Sequence, residues 1–149
     1  MSLSKRSLTS LVVVSLALGG GLGAALASDP AEERHITMEG VRDAAKPLFA
    51  MAKKEAPFDA AVVNKNATTI LEKLKRAQGL FPAGSGGGDS LAKPEIWSDP
   101  AGFAKGMKDA QAAATGLSGV KDEAAFGPAI GALGKSCKAC HDKYRLPPQ

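Results

Sequence analysis

Near its C-terminus the chain carries Cys137-Lys138-Ala139-Cys140-His141, which includes both of its cysteines. A Cys-x-x-Cys-His run is the attachment sequence of a c-type haem. On a helix, residues three and four apart share a face, so both thiols and the imidazole point to the same side. Each thiol can form a thioether with a haem vinyl group, and histidine is a usual axial ligand of haem iron. The run therefore predicts a helix that carries one covalently attached haem c, with His141 as its proximal ligand.

Three other uses of a cysteine pair compete with haem attachment. A structural zinc site needs four protein ligands, whereas the chain has two cysteines and two histidines, and His35 lies far from the motif. A thioredoxin-like redox pair normally follows a strand, and no strand-like alternation precedes Cys137. A disulfide within the pair remains the alternative in an oxidising compartment. Haem attachment fits the motif best, because it also uses His141.

The N-terminus predicts export. Two basic residues near the start precede an apolar run that ends in an A-x-A cleavage site at residues 25–27. The alternative is an uncleaved membrane anchor, but the run is short and rich in glycine. We expect residues 1–27 to be a signal peptide and residues 28–149 to form one periplasmic domain. No later stretch is apolar enough to span a membrane, so we expect no membrane attachment after cleavage.

Charge and composition argue against two functional classes. The formal net charge is +4, and two of the basic residues belong to the predicted signal peptide. Basic and acidic residues are therefore nearly balanced in the rest of the chain, which does not favour nucleic-acid binding. The sequence shows neither paired carboxylates nor a nucleophile–base pair beside the cysteine motif, so we predict that the protein is not an enzyme.

Four segments after the signal peptide carry apolar residues at alternating steps of three and four, which predicts amphipathic helices. They cover about 30–54, 59–78 and 98–119, and the fourth begins near residue 122. Their stripes are Met38, Val41, Ala45, Leu48 and Ala52; Val63, Ala67, Ile70 and Leu74; Phe103, Met107, Ala110, Ala114 and Leu117; and Phe126, Ile130, Leu133, Cys137, Cys140 and Tyr144. No period-two pattern is present. The pattern predicts an all-α, antiparallel four-helix bundle with an ordered crossover at 79–98 between the second and third helices.

The sequence resembles the class II c-type cytochromes, the family that contains cytochrome c′ and cytochrome c-556. The resemblance covers the whole chain after the signal peptide. It is carried by the haem motif near the C-terminus, on the last helix, and by several shorter pieces. These pieces are Arg34-x-x-x-Met38, Phe58-Asp59-Ala60-Ala61-Val62, Leu80-Phe81-Pro82, Ile96-Trp97, and Cys137 to Arg145.

The resemblance implies a role for each matched residue. Cys137, Cys140 and His141 match the attachment and proximal positions. Arg34 matches an arginine near a haem propionate, although the residue alone would suggest a solvated helix charge. Met38 matches the distal position, where a methionine binds iron in low-spin members and only fills space in cytochrome c′. His35, the other possible sixth ligand, is predicted to lie at the surface.

Two functions are consistent with the resemblance, and they differ in whether Met38 binds the iron. The first is a periplasmic monohaem electron carrier in which Met38 is the sixth ligand. Lys135, Lys138, Lys143 and Arg145 would steer an acidic redox partner, unless they are only a solvated helix face. The alternative is a high-spin cytochrome c′ that binds nitric oxide or carbon monoxide at an open distal site. The resemblance further implies homodimers.

Overall fold

The structure, a computed structural model, describes residues 29–147, and within that range it is all-helical. It contains five helices: α1 (Pro30–Ala52), α2 (Ala60–Gln78), α3 (Glu95–Ser98), α4 (Pro100–Ser118) and α5 (Glu123–Tyr144). The predicted signal peptide, residues 1–27, lies outside the described residues. None of the helices in the described range combines the length and the apolar character needed to cross a bilayer.

Each of the four long helices begins at an aspartate. Asp29, Asp59, Asp99 and Asp122 are the N-cap residues of α1, α2, α4 and α5, and each side chain accepts a hydrogen bond from a backbone N–H of the first turn. The aspartates satisfy amide groups that the helix itself leaves unpaired. The starts predicted from the sequence therefore agree with the structure, including the start of the fourth helix near residue 122.

The four long helices pack in a ring in which α1 lies against α2, α2 against α4, α4 against α5, and α5 back against α1. The predicted stripes of α2 and α4 are entirely buried. In α5 the apolar residues of the stripe are buried, while Cys137 and Cys140 are half-buried and pack against the core. The predicted all-α four-helix bundle is confirmed. The α1–α5 pair is the least closely packed of the four, which leaves space between these two helices.

The stripe predicted for α1 is only partly correct. Leu48 is buried, but Met38, Val41 and Ala45 are half-buried and Ala52 is exposed. The fully buried line of α1 consists of Arg34, Thr37, Ala44, Leu48 and Met51. The half-buried residues face the space between α1 and α5. Apolar spacing marks a face that avoids water, and it does not distinguish packing against protein from lining a cavity.

The crossover between α2 and α4 is ordered and contains the short helix α3, which the sequence did not predict. Its C-terminal part runs beside the end of α5. Ala92 and Arg145 form an isolated antiparallel bridge, and the Leu146 N–H donates to the Leu91 carbonyl at 2.8 Å. Ile96 is buried, and Trp97 packs against the core of the bundle. The crossover therefore ties the turn that follows α5 to the rest of the fold.

Two apolar residues of α1 offer a matched test of the core. The Leu48 side chain is fully buried, whereas Ile36 is 53% exposed. Leu48→Ala should lower the free energy of unfolding by about 2–5 kcal/mol, because it leaves a cavity in the core. Ile36→Ala should change it by less than about 0.5 kcal/mol. Denaturant unfolding of both variants checks this, and equal effects would contradict the assignment of Leu48 to the core.

Candidate functional site

Two adjoining cavities lie on the face of α5 that carries the cysteines. The smaller, of about 390 Å³, lies between α1 and α5 and is lined by Met38, Val41, Ala45 and Phe49 from α1. The larger, of about 820 Å³, extends towards α4 and the crossover. Met38 and His141 line both cavities. The structure therefore brings together the two residues predicted to face each other across the site, although they are far apart in the chain.

The two cysteines lie one turn apart on α5, and each faces one cavity. Cys137 lines the smaller cavity and Cys140 the larger. Burial raises the pKa of both thiols, and the neighbouring Cys137 raises that of Cys140 further. On α4, a Cβ built at Gly106 would stand 3.7 Å from the Cys140 sulfur. That distance is an ordinary van der Waals contact, so α4 packs beside this thiol.

His141 is exposed at the mouth of the site, one residue after Cys140. The protein around its ring lowers the pKa of His141 by desolvation, and the positive charge of Arg145 lowers it further, against the opposing effect of Asp142. Both lowering effects favour the neutral imidazole. That is the form in which histidine binds metals, so the surroundings of His141 suit an iron ligand.

An apolar wall faces His141 across the cavities. Met38 of α1 is half-buried there, and Phe103 and Met107 of α4 line the same larger cavity. The Phe103 ring packs edge-on against Phe81 at 4.7 Å and against Tyr144 at 5.3 Å between centroids. Phe103, Met107 and Tyr144 belong to the predicted helix stripes, but the sequence pattern assigns them no part in the site. Apolar periodicity alone could not separate cavity lining from core.

Arg34 lies one turn before Met38 on α1 and is only 7% exposed. Its guanidinium donates to the carbonyl and hydroxyl of Ser85 at 2.6 and 3.0 Å, to the Leu80 carbonyl at 2.7 Å and to the Ser90 hydroxyl at 2.9 Å. Arg34 also lines the larger cavity. The alternative of a solvated helix charge is therefore wrong, because the side chain is buried and bonded to the crossover. Its contact with a haem propionate stays a prediction.

The other charged residues named from the sequence are exposed, and of these His35 and Arg145 also line the larger cavity. The side chain of His35 is 66% exposed and stands 3.7 Å from Glu39, in agreement with a surface position. Lys138 pairs with Asp142, and Lys143 pairs with Asp99, each at 2.6 Å. These pairs reduce the net positive charge around the haem motif, so they weaken any steering of an acidic partner.

Asp99 joins the start of α4 to the end of α5, next to the site. Its carboxylate accepts hydrogen bonds from the Lys143 ammonium, the Gly102 N–H and the Tyr144 hydroxyl. These three donors lower the pKa of Asp99 to about 2. A Cβ at Gly102 would lie 2.6 Å from the Tyr144 hydroxyl and would collide with the Asp99 carboxylate. A glycine inside a helix is the sequence signal of such a close approach.

This network predicts how stability depends on pH. The pKa of Asp99 is lowered from 3.8 to about 2 on folding, so the unfolded chain binds more protons at this residue than the folded chain does between those values. Its stabilising effect is complete above about pH 4 and is lost as the pH falls towards 2. The stability difference between the wild type and Asp99→Asn should therefore shrink over that range.

Denaturant unfolding at several pH values measures the difference for Asp99→Asn. Tyr144→Phe is the matched variant, because it removes only one of the three donors to Asp99. It should give a smaller difference with the same pH dependence. A difference that stays constant from pH 5 to about pH 2.5 would contradict the proposed linkage.

The donor set fits a c-type haem. The thiols of Cys137 and Cys140 and the imidazole of His141 lie along one face of α5. They border two mainly apolar cavities, and the Met38 thioether from α1 lines both of them. Among the described residues, no group of three or more histidine, cysteine, aspartate or glutamate side chains could hold a metal ion. The zinc alternative therefore lacks its ligands.

Comparisons with known proteins agree with this arrangement. A family model described as Cytochrome C' matches residues 29–145. Cytochrome c′ of Rhodopseudomonas palustris is 40% identical over 97% of both chains. Cytochrome c-556 of Agrobacterium fabrum is 38% identical over 83% of this chain and 86% of its own. The solved structure of the R. palustris cytochrome c′ superposes with a TM-score of 0.78, at 40% identity, over 83% of this chain and 100% of the other.

Helix order, the position of the cysteine motif and similarity over nearly the whole chain all point to one family. Its members are haem proteins and are generally not enzymes. The chain therefore belongs to the cytochrome c′ family of class II c-type cytochromes and binds one covalently attached haem c.

Proposed function

We propose that this protein is a high-spin monohaem cytochrome whose iron is open on the Met38 side and binds nitric oxide or carbon monoxide there. The observation that carries the proposal is the similarity to cytochrome c′ of R. palustris over 97% of both chains. The apolar wall formed by Met38, Phe103 and Met107 supports it, because small neutral ligands need no charged group for their binding.

Each residue of the motif has a distinct task in this proposal. Cys137 and Cys140 form the two thioethers, which fix the haem to α5. His141 offers its neutral imidazole to the iron as the proximal ligand. Met38 fills part of the opposite side without binding the metal, and Arg34, which lines the larger cavity, would bind a propionate. When bound, the haem supplies a one-electron couple and a coordination position for a diatomic ligand.

Electron transfer with Met38 as the sixth ligand is the second candidate function. Two observations favour it. The Met38 side chain lines both of the cavities that His141 lines, and a thioether is an established partner of histidine in electron-transfer haems. A relative of 38% identity also carries the name cytochrome c-556. In this form the protein would exchange electrons with redox partner proteins.

The ferric absorption and resonance Raman spectra of the purified protein separate the two candidates. The proposed function requires a high-spin ferric iron and rapid carbon monoxide binding after reduction. A low-spin ferric spectrum with sulfur ligation, together with slow carbon monoxide binding, would overturn it in favour of the electron carrier. Both measurements use the haem-loaded protein without any substitution.

Export remains part of the proposal. Residues 1–27 carry the features of a signal peptide, so the mature protein should begin at Ser28 and accumulate in the periplasm. Intact-mass analysis of the periplasmic fraction tests this, and a retained N-terminus would contradict cleavage.

Homodimers are known in the family, and sedimentation of the mature protein measures whether this chain forms one.

A further inference from the structure

Part of the crossover, residues 80–92, here called the strap, forms one wall of the larger cavity. Residues 84–92 line it, together with Phe103 and Met107 of α4. The other described residues that line this cavity belong mainly to the helices α1, α4 and α5. The strap is therefore the main part of the wall that is not built from a long helix.

The ends of the strap are fixed to the fold. At one end, the Trp97 indole N–H donates to the Phe81 and Pro82 carbonyls at 3.3 and 3.0 Å. At the other end, the Leu91 carbonyl accepts from the Leu146 N–H. Both anchors belong to residues that pack on the bundle or follow α5, so they hold only the two ends.

The middle of the strap, residues 83–90, has few contacts of its own. Gly84, Gly87 and Gly88 have positive φ angles, and a Cβ built at any of the three would meet nothing within 4 Å. Among the described residues, the hydrogen bonds that reach this middle part from outside the strap all come from Arg34. Removal of that one side chain would leave the middle held by Gly86 packing on Trp97 and by local turns.

Arg34 uses most of its hydrogen-bonding capacity on the strap. A guanidinium has five N–H donors, and its two terminal nitrogens make four bonds to Leu80, Ser85 and Ser90. The guanidinium also lies over the Phe81 ring at 5.0 Å from its centroid. Only Nε–H has no bond to the strap, so the main contacts of Arg34 are with the cavity wall.

We propose that the strap is a gate for small neutral ligands that enter the larger cavity from the crossover side, and that Arg34 is the positioning residue that holds this wall in place. The inference rests on the proposed function, because it takes the Met38 side as the place where a diatomic ligand binds. Thermal opening of the middle of the strap admits the ligand, and the three Arg34 hydrogen bonds to Ser85 and Ser90 set how often opening occurs.

The test compares Arg34→Met with Arg76→Met. Arg76 makes an exposed ion pair with Glu33, the residue before Arg34, and has no contact with the strap among the bonds described. Both variants are made in the Met38→Ala protein. The iron is then accessible whether or not Met38 binds it in the wild type, so a low-spin wild type would overturn the proposed function without affecting this test.

Two measurements follow on the haem-loaded, reduced proteins. Arg34→Met should speed carbon monoxide association by about threefold or more and should speed hydrogen exchange at the Ser85 and Ser90 amides, because the wall opens more often. Arg76→Met should change neither. Carbon monoxide is neutral, so the Arg34 charge does not attract it, and Ser90→Ala separates the strap from the proposed propionate contact because it leaves the Arg34 side chain in place.

Each remaining outcome counts against the proposal. Faster exchange with an unchanged association rate means that the strap is only structural, and unchanged exchange means that Arg34 does not hold it. If Arg34→Met yields no haem-loaded protein, Ser90→Ala is the second variant. It removes one of the strap groups that accept a hydrogen bond from Arg34. It should give a smaller rise in both measurements, and no rise in either would overturn the gate.

Discussion

Replacing both Cys137 and Cys140 with alanine is expected to abolish covalent haem attachment, while either single replacement leaves one thioether. Both thiols lie on the face of α5 that borders the cavities, and they are the only cysteines of the chain, so no other residue can form the bond. Haem staining after denaturing electrophoresis and the intact mass measure attachment directly. The double variant should show no covalently bound haem.

The control for this prediction is Lys135→Ala, two residues before Cys137 on the same helix. The Lys135 side chain is exposed and lines neither cavity among the described residues. Its loss should leave attachment complete. Alanine suits the interior of a helix, so the cysteine variants should keep α5. Covalent haem in the double variant would show that the motif is not the attachment site.

The helices could be predicted because their signals are local. An aspartate before each long helix marks its start, and the Val63 and Phe103 stripes mark the buried faces of α2 and α4. Both signals lie within one or two turns of the residues that they organise. The same locality explains why the two cysteines and His141 could be assigned to one face of the last helix.

The contacts across the site could not be predicted in the same way. Arg34 bonds to residues 46 to 56 positions further along the chain, and no helical period relates residues that far apart. The arginine looked like a surface charge because buried arginines are uncommon without a partner. The acceptors here are mainly backbone carbonyls and hydroxyls of a glycine-rich segment, which leave no charge pattern in the sequence.

The role of Met38 on the distal side could not be predicted from the sequence either. Met38 and Leu48 both belong to the predicted stripe of α1, yet Leu48 is buried and Met38 lines the cavities. Their separation along the helix does not reveal which of them meets protein and which meets the prosthetic group. Whether a thioether binds iron depends on how closely α1 approaches α5, and that distance is set by packing of the whole ring of helices.

Met38→Ala is the variant that measures the role of this side chain. If Met38 only fills space, the ferric iron should stay high-spin, and carbon monoxide should bind the reduced protein about tenfold faster or more, because truncation widens the site. Conversion of a low-spin iron to high-spin would instead identify Met38 as the sixth ligand and contradict the proposed function. Absorption spectra and flash photolysis of the haem-loaded protein give both results.

Met51→Ala is the control for Met38→Ala, because it truncates another methionine of α1. Met51 lies on the same helix and is 7% exposed, but it lines neither cavity in the described part of the chain. Its truncation should lower the free energy of unfolding by about 2–5 kcal/mol, as expected for a core methionine. The spin state and the carbon monoxide rate should nevertheless stay unchanged. If Met51→Ala accelerated ligand binding as much as Met38→Ala does, general loosening of α1 would explain both effects, and Met38 would have no special place over the iron.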